Sequence, residues 1–390
     1  MRVLRHPAAV FVAVRLAFLL GTAITLLWAP RRGEALLAYD AYDPFTDLLF
    51  GVFAQWDSDW YLNIASRGYD SQSAAFFPLY PALVHALGWV LGSNLVAGVV
   101  LSLAAGAVGA WAMVEIAKPI LGHTAARDSA LLVALYPTAF VFTSVYSEGL
   151  FLALASTSFL AAQRGRPWLA GALAGLAVGT RLIGLALIPA LVVLAWPRAR
   201  SEAHRLVPVV VLPLMGLVAV ALVFDVKLDD ALAFSHAQDF WERDPSFVGP
   251  ASGLWAELQA VWDGFGELGS LPRGLGAPEG YSFEAQVALW NLVDLLVYAG
   301  AAALTVVVYR RLGLAFALYS VALLAIIASA PGRVIPLQST IRLVMADFPL
   351  FLAGAALLSG RPALRTGVLV TLGALTALAG ATFARKLWVA

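Results

Sequence analysis

The chain has 390 residues, of which 61% are hydrophobic and only 13% charged, and its net charge is +1. No soluble globular domain of this length needs so much apolar surface, and the near-neutral charge gives no electrostatic case for nucleic acid. Cysteine is absent, which excludes disulfides and thiolate metal sites.

Long apolar runs, such as Ala8–Trp28, Leu206–Phe224 and Gly367–Phe383, have the length of a bilayer crossing. They do not alternate apolar with polar residues, so a β-barrel is disfavoured. The expectation is an all-α integral membrane protein with about eleven crossings, near 8–28, 95–117, 128–143, 147–163, 167–181, 183–196, 206–224, 286–309, 313–330, 341–358 and 364–384. The first run has no small-residue cleavage site in the usual place and is expected to be retained. One set of connections carries Arg2, Arg5, Lys118, Arg127, Arg164, Arg166, Arg198, Arg200, Arg205, Arg310, Arg311, Arg361 and Arg365. These are expected to face the cytoplasm, with the N-terminus. The opposite face receives two long acidic loops, 29–75 and 225–285, the second with eleven acidic residues including Asp239, Glu242 and Asp244.

Within those loops Leu36, Tyr39, Tyr42 and Phe45–Leu48 recur at helical spacing. So do Trp56, Trp60 and Ile64, and the second loop offers Phe240-Trp241, Leu254-Trp255, Leu258 and Val261-Trp262. Such amphipathic segments are expected to lie flat at the bilayer surface. Phe76–Leu91 is read as interfacial or re-entrant. If it spanned, every later Arg-rich turn would land outside, and Pro78 and Pro81 disturb its first turns. The chain reads as one polytopic unit, 1–390, with a catalytic module over about 1–225, C-terminal helices over about 286–384, and no separate soluble domain.

The most informative words are polar ones in apolar surroundings. Trp56-Asp57-Ser58-Asp59-Trp60-Tyr61 places two carboxylates among interface-loving aromatics. Carboxylates beside a bilayer are costly unless water or a partner receives them. In a helix, residues two apart point to nearly opposite faces; only an extended segment would let Asp57 and Asp59 share an ion. Tyr146-Ser147-Glu148 lies between two apolar spans, and Arg181 ends another. Arg342 enters the tenth span, with Gln338 before it and Asp347 after it, which leaves an Arg342–Asp347 ion pair open. Arg333 falls in what Pro331-Gly332 and Pro336 mark as an ordinary exposed turn; Asn291 and Asp294 suit either a cavity wall or helix–helix bonding. No histidine pair has metal-ligand spacing, and the Gly-rich segment 165–184 reads as helix packing, not a nucleotide loop.

In order along the chain, Trp56–Ala65, Gly68-Tyr69, Ala75–Pro81, Tyr136–Phe140, Phe142–Ser144, Tyr146–Glu148, Leu150-Phe151, Arg164–Arg166, Gly179–Arg181, Gly184, Gln338–Leu343 and Phe348-Pro349 resemble the PIG-V-type mannosyltransferases. That family adds the second mannose to glycosylphosphatidylinositol precursors. The resemblance implies a GT-C fold and inverting transfer of mannose from a polyprenyl-phosphate donor to a lipid-linked glycan or glycolipid, on the extracytoplasmic face. It departs at Arg181-Leu182-Ile183-Gly184, where the family carries Arg-Ser-Asn-Gly. The arginine-rich composition suggests a bacterial plasma-membrane protein, so the acceptor does not carry over.

On this basis Asp57 is expected to be the catalytic base, the alternative being a helix cap. Asp59, Tyr61 and Glu148 are expected to bind acceptor or fix the loop. Arg181, Arg342 and Gln338 are expected at the donor phosphate, the alternative for Arg181 being snorkelling to headgroups. No metal or other cofactor is expected to be required, although a divalent ion is compatible with Asp57-x-Asp59. The rivals are a GT-C enzyme with another lipid-phosphate sugar or a protein acceptor, a lipid or glycan transporter, and a non-catalytic assembly subunit.

Overall fold

The computed structural model describes residues 6–28, 50–199, 202–243, 249–270 and 282–385, and no strand is formed among them. The helical spacing expected at Leu36, Tyr39, Tyr42 and Phe45–Leu48 lies outside the described residues, as does Asp244. The helices are α1 (Pro7–Trp28), α2 (Asp57–Arg67), α3 (Leu79–Leu91), α4 (Asn94–Ala134), α5 (Glu148–Gln163), α6 (Pro167–Thr180), α7 (Leu187–Ala199) and α8 (Leu206–Leu228). They continue as α9 (Ala233–Phe240), α10 (Pro250–Gly264), α11 (Phe283–Leu312), α12 (Leu314–Ala328), α13 (Thr340–Leu343), α14 (Phe348–Leu358) and α15 (Pro362–Ala384).

Local chemistry sets these boundaries. Ser93 and Ser282 cap α4 and α11 by accepting from the amides of Val96 (3.3 Å) and Ala285 (3.1 Å). Proline opens α6, α10, α14 and α15, where its missing N–H costs nothing. Gly92 stops α3 in the left-handed region, at φ 76°.

Four described helices are long and apolar enough to cross a membrane, or five if one bent pair is a single span. The eleven expected crossings do not all become straight helices of that length. The run 128–143 is helical only to Ala134 and resumes as a 3₁₀ turn over Ala139–Phe142. Pro137 explains the stop: it pushes Tyr136 out of the helical region and has no N–H to give. The run 341–358 breaks at Asp347, and its two parts, Thr340–Ala346 and Phe348–Leu358, meet at 86°. Pro349 would leave a straight helix without one ladder bond there. Within α4, Gly122 (φ 79°) kinks what is otherwise one helix. The segments ending at Phe240 and holding Leu254–Trp262 are helical, as α9 and α10.

The core lies along α4 and α5, with α1, α6 and α14 packed around them. The first apolar run is not free of charge. Arg15 of α1 is fully buried and donates to the carbonyls of Ala139 (2.7 Å) and Ala134 (2.5 Å), so it serves the end of α4 that Pro137 leaves open. Close approach uses small residues. Gly149 of α5 faces the Ser102 carbonyl of α4, and a Cβ there would stand 2.5 Å from it. Gly171 and Gly175 of α6 face Pro208 and Leu212 of α8 in the same manner. The packing expectation for 165–184 is met. Outward faces, among them Leu214, Met215, Val218 and Leu222 of α8, stay apolar and exposed, as a lipid-facing surface requires.

Helix direction separates two ends. α5 runs from Glu148 to Arg164 and α6 returns from Arg166 to Arg181, so Glu148 and Arg181 share one end and the paired arginines lie at the other. At that second end Arg365 grips Asp128 through both carboxylate oxygens (2.6 and 2.7 Å), fastening α15 to α4. At the first end the strap between α12 and α13 is held from outside. Glu257 of α10, fully buried, accepts from the Leu337 amide at 2.9 Å.

Two tests follow from this packing. Gly171→Val should destabilise the fold by about 1–3 kcal/mol by pushing α6 off α8. Gly179→Ala should change little, because its Cβ would meet Leu79 at an ordinary 3.5 Å. Heating both variants and following monodisperse protein by size exclusion reads the difference. The second test concerns pH. Burial pushes the Glu257 carboxyl up to about 7. An acid raised by folding stabilises the fold in its protonated form, below its ordinary value of 4.5, and loses that contribution as pH rises through 7. Unfolding midpoints taken from pH 5 to 8 should therefore fall more steeply for the wild type than for Glu257→Gln, by a few degrees on the order set for domains of this size.

Candidate active site

The site begins with a strained residue. Trp56, at the N-terminal boundary of α2, sits at φ 58° and ψ −121°. A non-glycine residue there costs about 1–3 kcal/mol and persists only where its surroundings hold it. The turn delivers Asp57 as the first helical residue, with its side chain 25% exposed. Asp59 is fully buried on the same helix. The helix settles the geometry left open by the sequence: the two carboxylates lie two residues apart in an α-helix and do not face a common ion. No group of three or more His, Asp or Glu with metal-holding geometry occurs among the described residues.

Four charges from four distant segments meet at this point. Arg342 of α13 donates from Nη1 to Asp57 Oδ2 at 2.5 Å, across 285 positions of sequence. Its Nε lies 3.6 Å from Glu148 Oε1, and Arg181, the C-cap of α6, pairs with that same Glu148 oxygen. The order in space is Asp57–Arg342–Glu148–Arg181. Arg342 also stands 5.5 Å above the Tyr146 ring, a cation–π arrangement. Ser147 ties the row to α2: its hydroxyl accepts from Tyr61 at 2.8 Å and from Arg181 Nη1 at 3.5 Å. Burial holds the Tyr61 pKa above its ordinary value, so this phenol remains a donor at neutral pH.

Glu148 is 5% exposed and the Arg342 side chain 12%, whereas Asp57 and Arg181 are 25% and 18% exposed. The inner pair is therefore the more deeply buried and the outer pair the more accessible. Glu148 Oε2 and Arg342 Nε have no hydrogen-bond partner among the described residues. Buried polar atoms are normally satisfied, so the row holds unused capacity of both signs. It can accept a proton at Asp57 and donate several bonds to an anion from Arg342 and Arg181.

Of the residues singled out from sequence, Asp57, Tyr61, Glu148, Arg181 and Arg342 come together. Gln338 does not join them by its side chain; among the described residues it gives its backbone carbonyl to Arg243 at 3.3 Å. Asp347 is not the partner of Arg342. It is buried at the helix bend and accepts from Ser320 at 2.6 Å. Asp294 takes the structural option: its Oδ1 accepts from the Ile341 amide at 3.1 Å, next to Arg342. Arg333 is exposed, as expected, but its turn is tied down, since the Arg333 amide donates to the Glu242 carbonyl at 2.9 Å. Sequence reasoning passed over Arg243 and Glu257. The one signal for Arg243 was a cation beside Phe240-Trp241 in a predominantly acidic loop.

The family model described as Mannosyltransferase (PIG-V) matches residues 40–209, a range that holds Asp57, Glu148 and Arg181. GPI alpha-1,6-mannosyltransferase 2 of Mus musculus is 31% identical over 155 residues, covering 37% of this chain and 31% of that protein. The Cricetulus griseus protein of the same description is 30% identical over 155 residues, again 37% of this chain and 31% of the relative. The chain thus spans about a third of the length of these curated relatives. Among solved structures, ArnT from Cupriavidus metallidurans bound to undecaprenyl phosphate superposes with a TM-score of 0.52 at 17% identity, covering 95% of this chain and 63% of that one. Over residues 40–209 the chain is thus similar to the PIG-V-type mannosyltransferases, and over nearly its whole length it has the GT-C fold.

Proposed function

We propose that the chain is an inverting mannosyltransferase that moves mannose from a polyprenyl-phosphate donor to a hydroxyl of a lipid-linked glycan or glycolipid. The observation that carries this is the row Asp57–Arg342–Glu148–Arg181, which sets an accessible carboxylate against two guanidiniums. The acceptor oxygen attacks the anomeric carbon, its proton passes to Asp57, and the bond from that carbon to the phosphate oxygen breaks. The carrier leaves as a phosphate monoester. It gains one negative charge while the row, by neutralising Asp57, gains one positive charge. The row sums to zero before transfer, so its charge change opposes that of the leaving group. Such matching in a site of restricted water access is the strongest contribution a protein makes to this class of step.

Several further points support this reading. The solved ArnT structure carries undecaprenyl phosphate, a lipid phosphate of the proposed class. The row lies at the end opposite Arg164, Arg166, Arg310 and Arg311, and that distribution of basic residues supports an extracytoplasmic site. The two guanidiniums supply the positive charge that a metal ion would otherwise bring. The similarity of residues 40–209 to the PIG-V-type mannosyltransferases supports mannose as the sugar.

Transfer is tested with protein in liposomes, polyprenyl-phosphate-mannose and extracted membrane lipids. Asp57→Asn should lower kcat about 10²–10⁴-fold without loss of the fold, and the product should have the opposite anomeric configuration to the donor. Arg342→Lys keeps the charge but loses the fork, and should cost about 10²-fold. Turnover that survives Asp57→Asn, or transfer from GDP-mannose alone, overturns the assignment.

A further inference from the structure

The Asp57–Arg342 contact raises a mechanical question. Its two halves lie on separate walls, α2 on one side and the strap and α13 on the other. A contact 285 residues apart in sequence needs something to set the distance between those walls. One short segment touches both: the end of α9 with Trp241, Glu242 and Arg243.

On the α2 side the grip is aromatic. The Trp241 ring lies 5.3 Å from Trp60 and 5.5 Å from Phe76, and Phe240 lies 6.0 Å from Trp60. Trp60 is three residues beyond Asp57 on the same helix. The Trp241 indole also donates to the Gln72 carbonyl at 3.2 Å. On the strap side the grip is polar. Arg243 donates from Nη1 to the Ala330 carbonyl and from Nη2 to the Gln338 carbonyl, both at 3.3 Å. Its backbone bridges to Gly332, and the Glu242 carbonyl takes the Arg333 amide at 2.9 Å. The guanidinium thus spans both ends of the strap, and only a planar fork can reach two carbonyls in that manner. Gln338 stands four residues before Arg342, so where it is held decides where α13 begins.

Backbone strain marks the same places. Among the described residues four non-glycine positions have positive φ: Trp56, Asp229, Glu242 and Ser339. Three of these sit just ahead of Asp57, Arg243 and Arg342. Strain of this kind survives only where surrounding contacts over-determine the backbone. Partial burial, with Arg342 and Arg181 nearby, pulls the Arg243 pKa down to about 10, so it remains a cation at neutral pH.

We propose that Arg243 is a positioning residue of the transfer reaction: its fork holds the 330–338 strap where Arg342 meets Asp57, while Trp241 beside it fixes the same segment to the α2 wall. The inference rests on the reading of Asp57 and Arg342 as the reacting centre, but its mechanical part can be measured without turnover. The chain has no cysteine, so spin labels can be placed cleanly at two exposed arginines, one on each wall, with R67C/R333C.

In liposomes the R67C/R333C protein should give one narrow distance distribution by pulsed electron paramagnetic resonance. Adding R243Q or R243K should broaden it, and both should lower kcat/KM for polyprenyl-phosphate-mannose by about 10–100-fold, the scale of a misplaced catalytic group. R243K retains the charge and loses the fork, so it separates the two contributions and guards against a glutamine variant that fails to fold. The proposal is overturned if R243K matches the wild type in distance and rate, since charge alone would then suffice. It is also overturned if R243Q or R243K slows transfer with the narrow distribution intact, or if neither variant changes either readout. A wild type that transfers no mannose sinks the proposed function, yet the distance measurement still decides the role of Arg243.

Discussion

The fold turns on one partly buried contact, the ion pair of Arg342 with Asp57 backed by Glu148 and Arg181. Taking such groups out of water costs several kcal/mol for each ion, and their attraction returns this only with good geometry and further hydrogen bonds. As a source of stability the row is therefore weak; an apolar cluster of the same volume would serve the fold at least as well. Its effect is positional. Removing any member leaves an uncompensated charge, so the walls are held to the one spacing that satisfies all four. The surrounding structure is arranged accordingly, with Tyr61 and Ser147 locking α2 to the start of α5 and the Tyr146 ring beneath Arg342.

The gradient of exposure along the row has a chemical consequence. Glu148 and Arg342 are the more deeply buried pair, Glu148 facing Arg181 and then Arg342, and Arg342 facing Asp57 and then Glu148, whereas Asp57 and Arg181 retain more contact with the surface. On the proposed reading an incoming phosphate meets Arg181 and Arg342 together, because both guanidiniums are held beside the same Glu148 oxygen. An incoming hydroxyl can approach Asp57 from the exposed side. On the proposed reading the row is a relay of compensating charges, in which each change at the reacting atoms is met by a fixed group rather than by reorganising water.

Asp57, Glu148, Arg181 and Arg342 were legible in the sequence because ionisable residues beside long apolar runs are expensive and stand out. Their roles in pairing were not. Proximity along the chain left an Arg342–Asp347 ion pair open, and the structure pairs Arg342 instead with a residue 285 positions away, since Asp347 faces Ser320. Arg243 and Glu257 were invisible for the opposite reason: they lie in a polar loop where charges carry no information until the strap they hold is known. Gln338 was chosen for its side chain, and its backbone is what is used. Arg15 was hidden by averaging over an apolar run, although its burial compensates the helix end cut by Pro137. The same proline, and Pro349 in the tenth run, carried enough information to shorten both expected spans.

The 86° bend at Asp347 shows why that shortening matters. A straight helix over 340–358 would be about 28 Å long and would carry Arg342 along its axis, away from the end of the bundle. Breaking it lets α13 turn across that end, so that Arg342 reaches sideways to Asp57 while α14 descends beside α4 and α11. A break inside an apolar bundle exposes backbone groups that must find partners. Here the Ala346 carbonyl accepts from Tyr319 at 2.8 Å, and the Asp347 carboxyl accepts from Ser320 at 2.6 Å. Both donors come from α12, the helix that leads into the strap. The element that repairs the bend is thus the one that feeds the segment held by Arg243 and Glu257, and the placement of Arg342 is fixed from both sides of its own short helix.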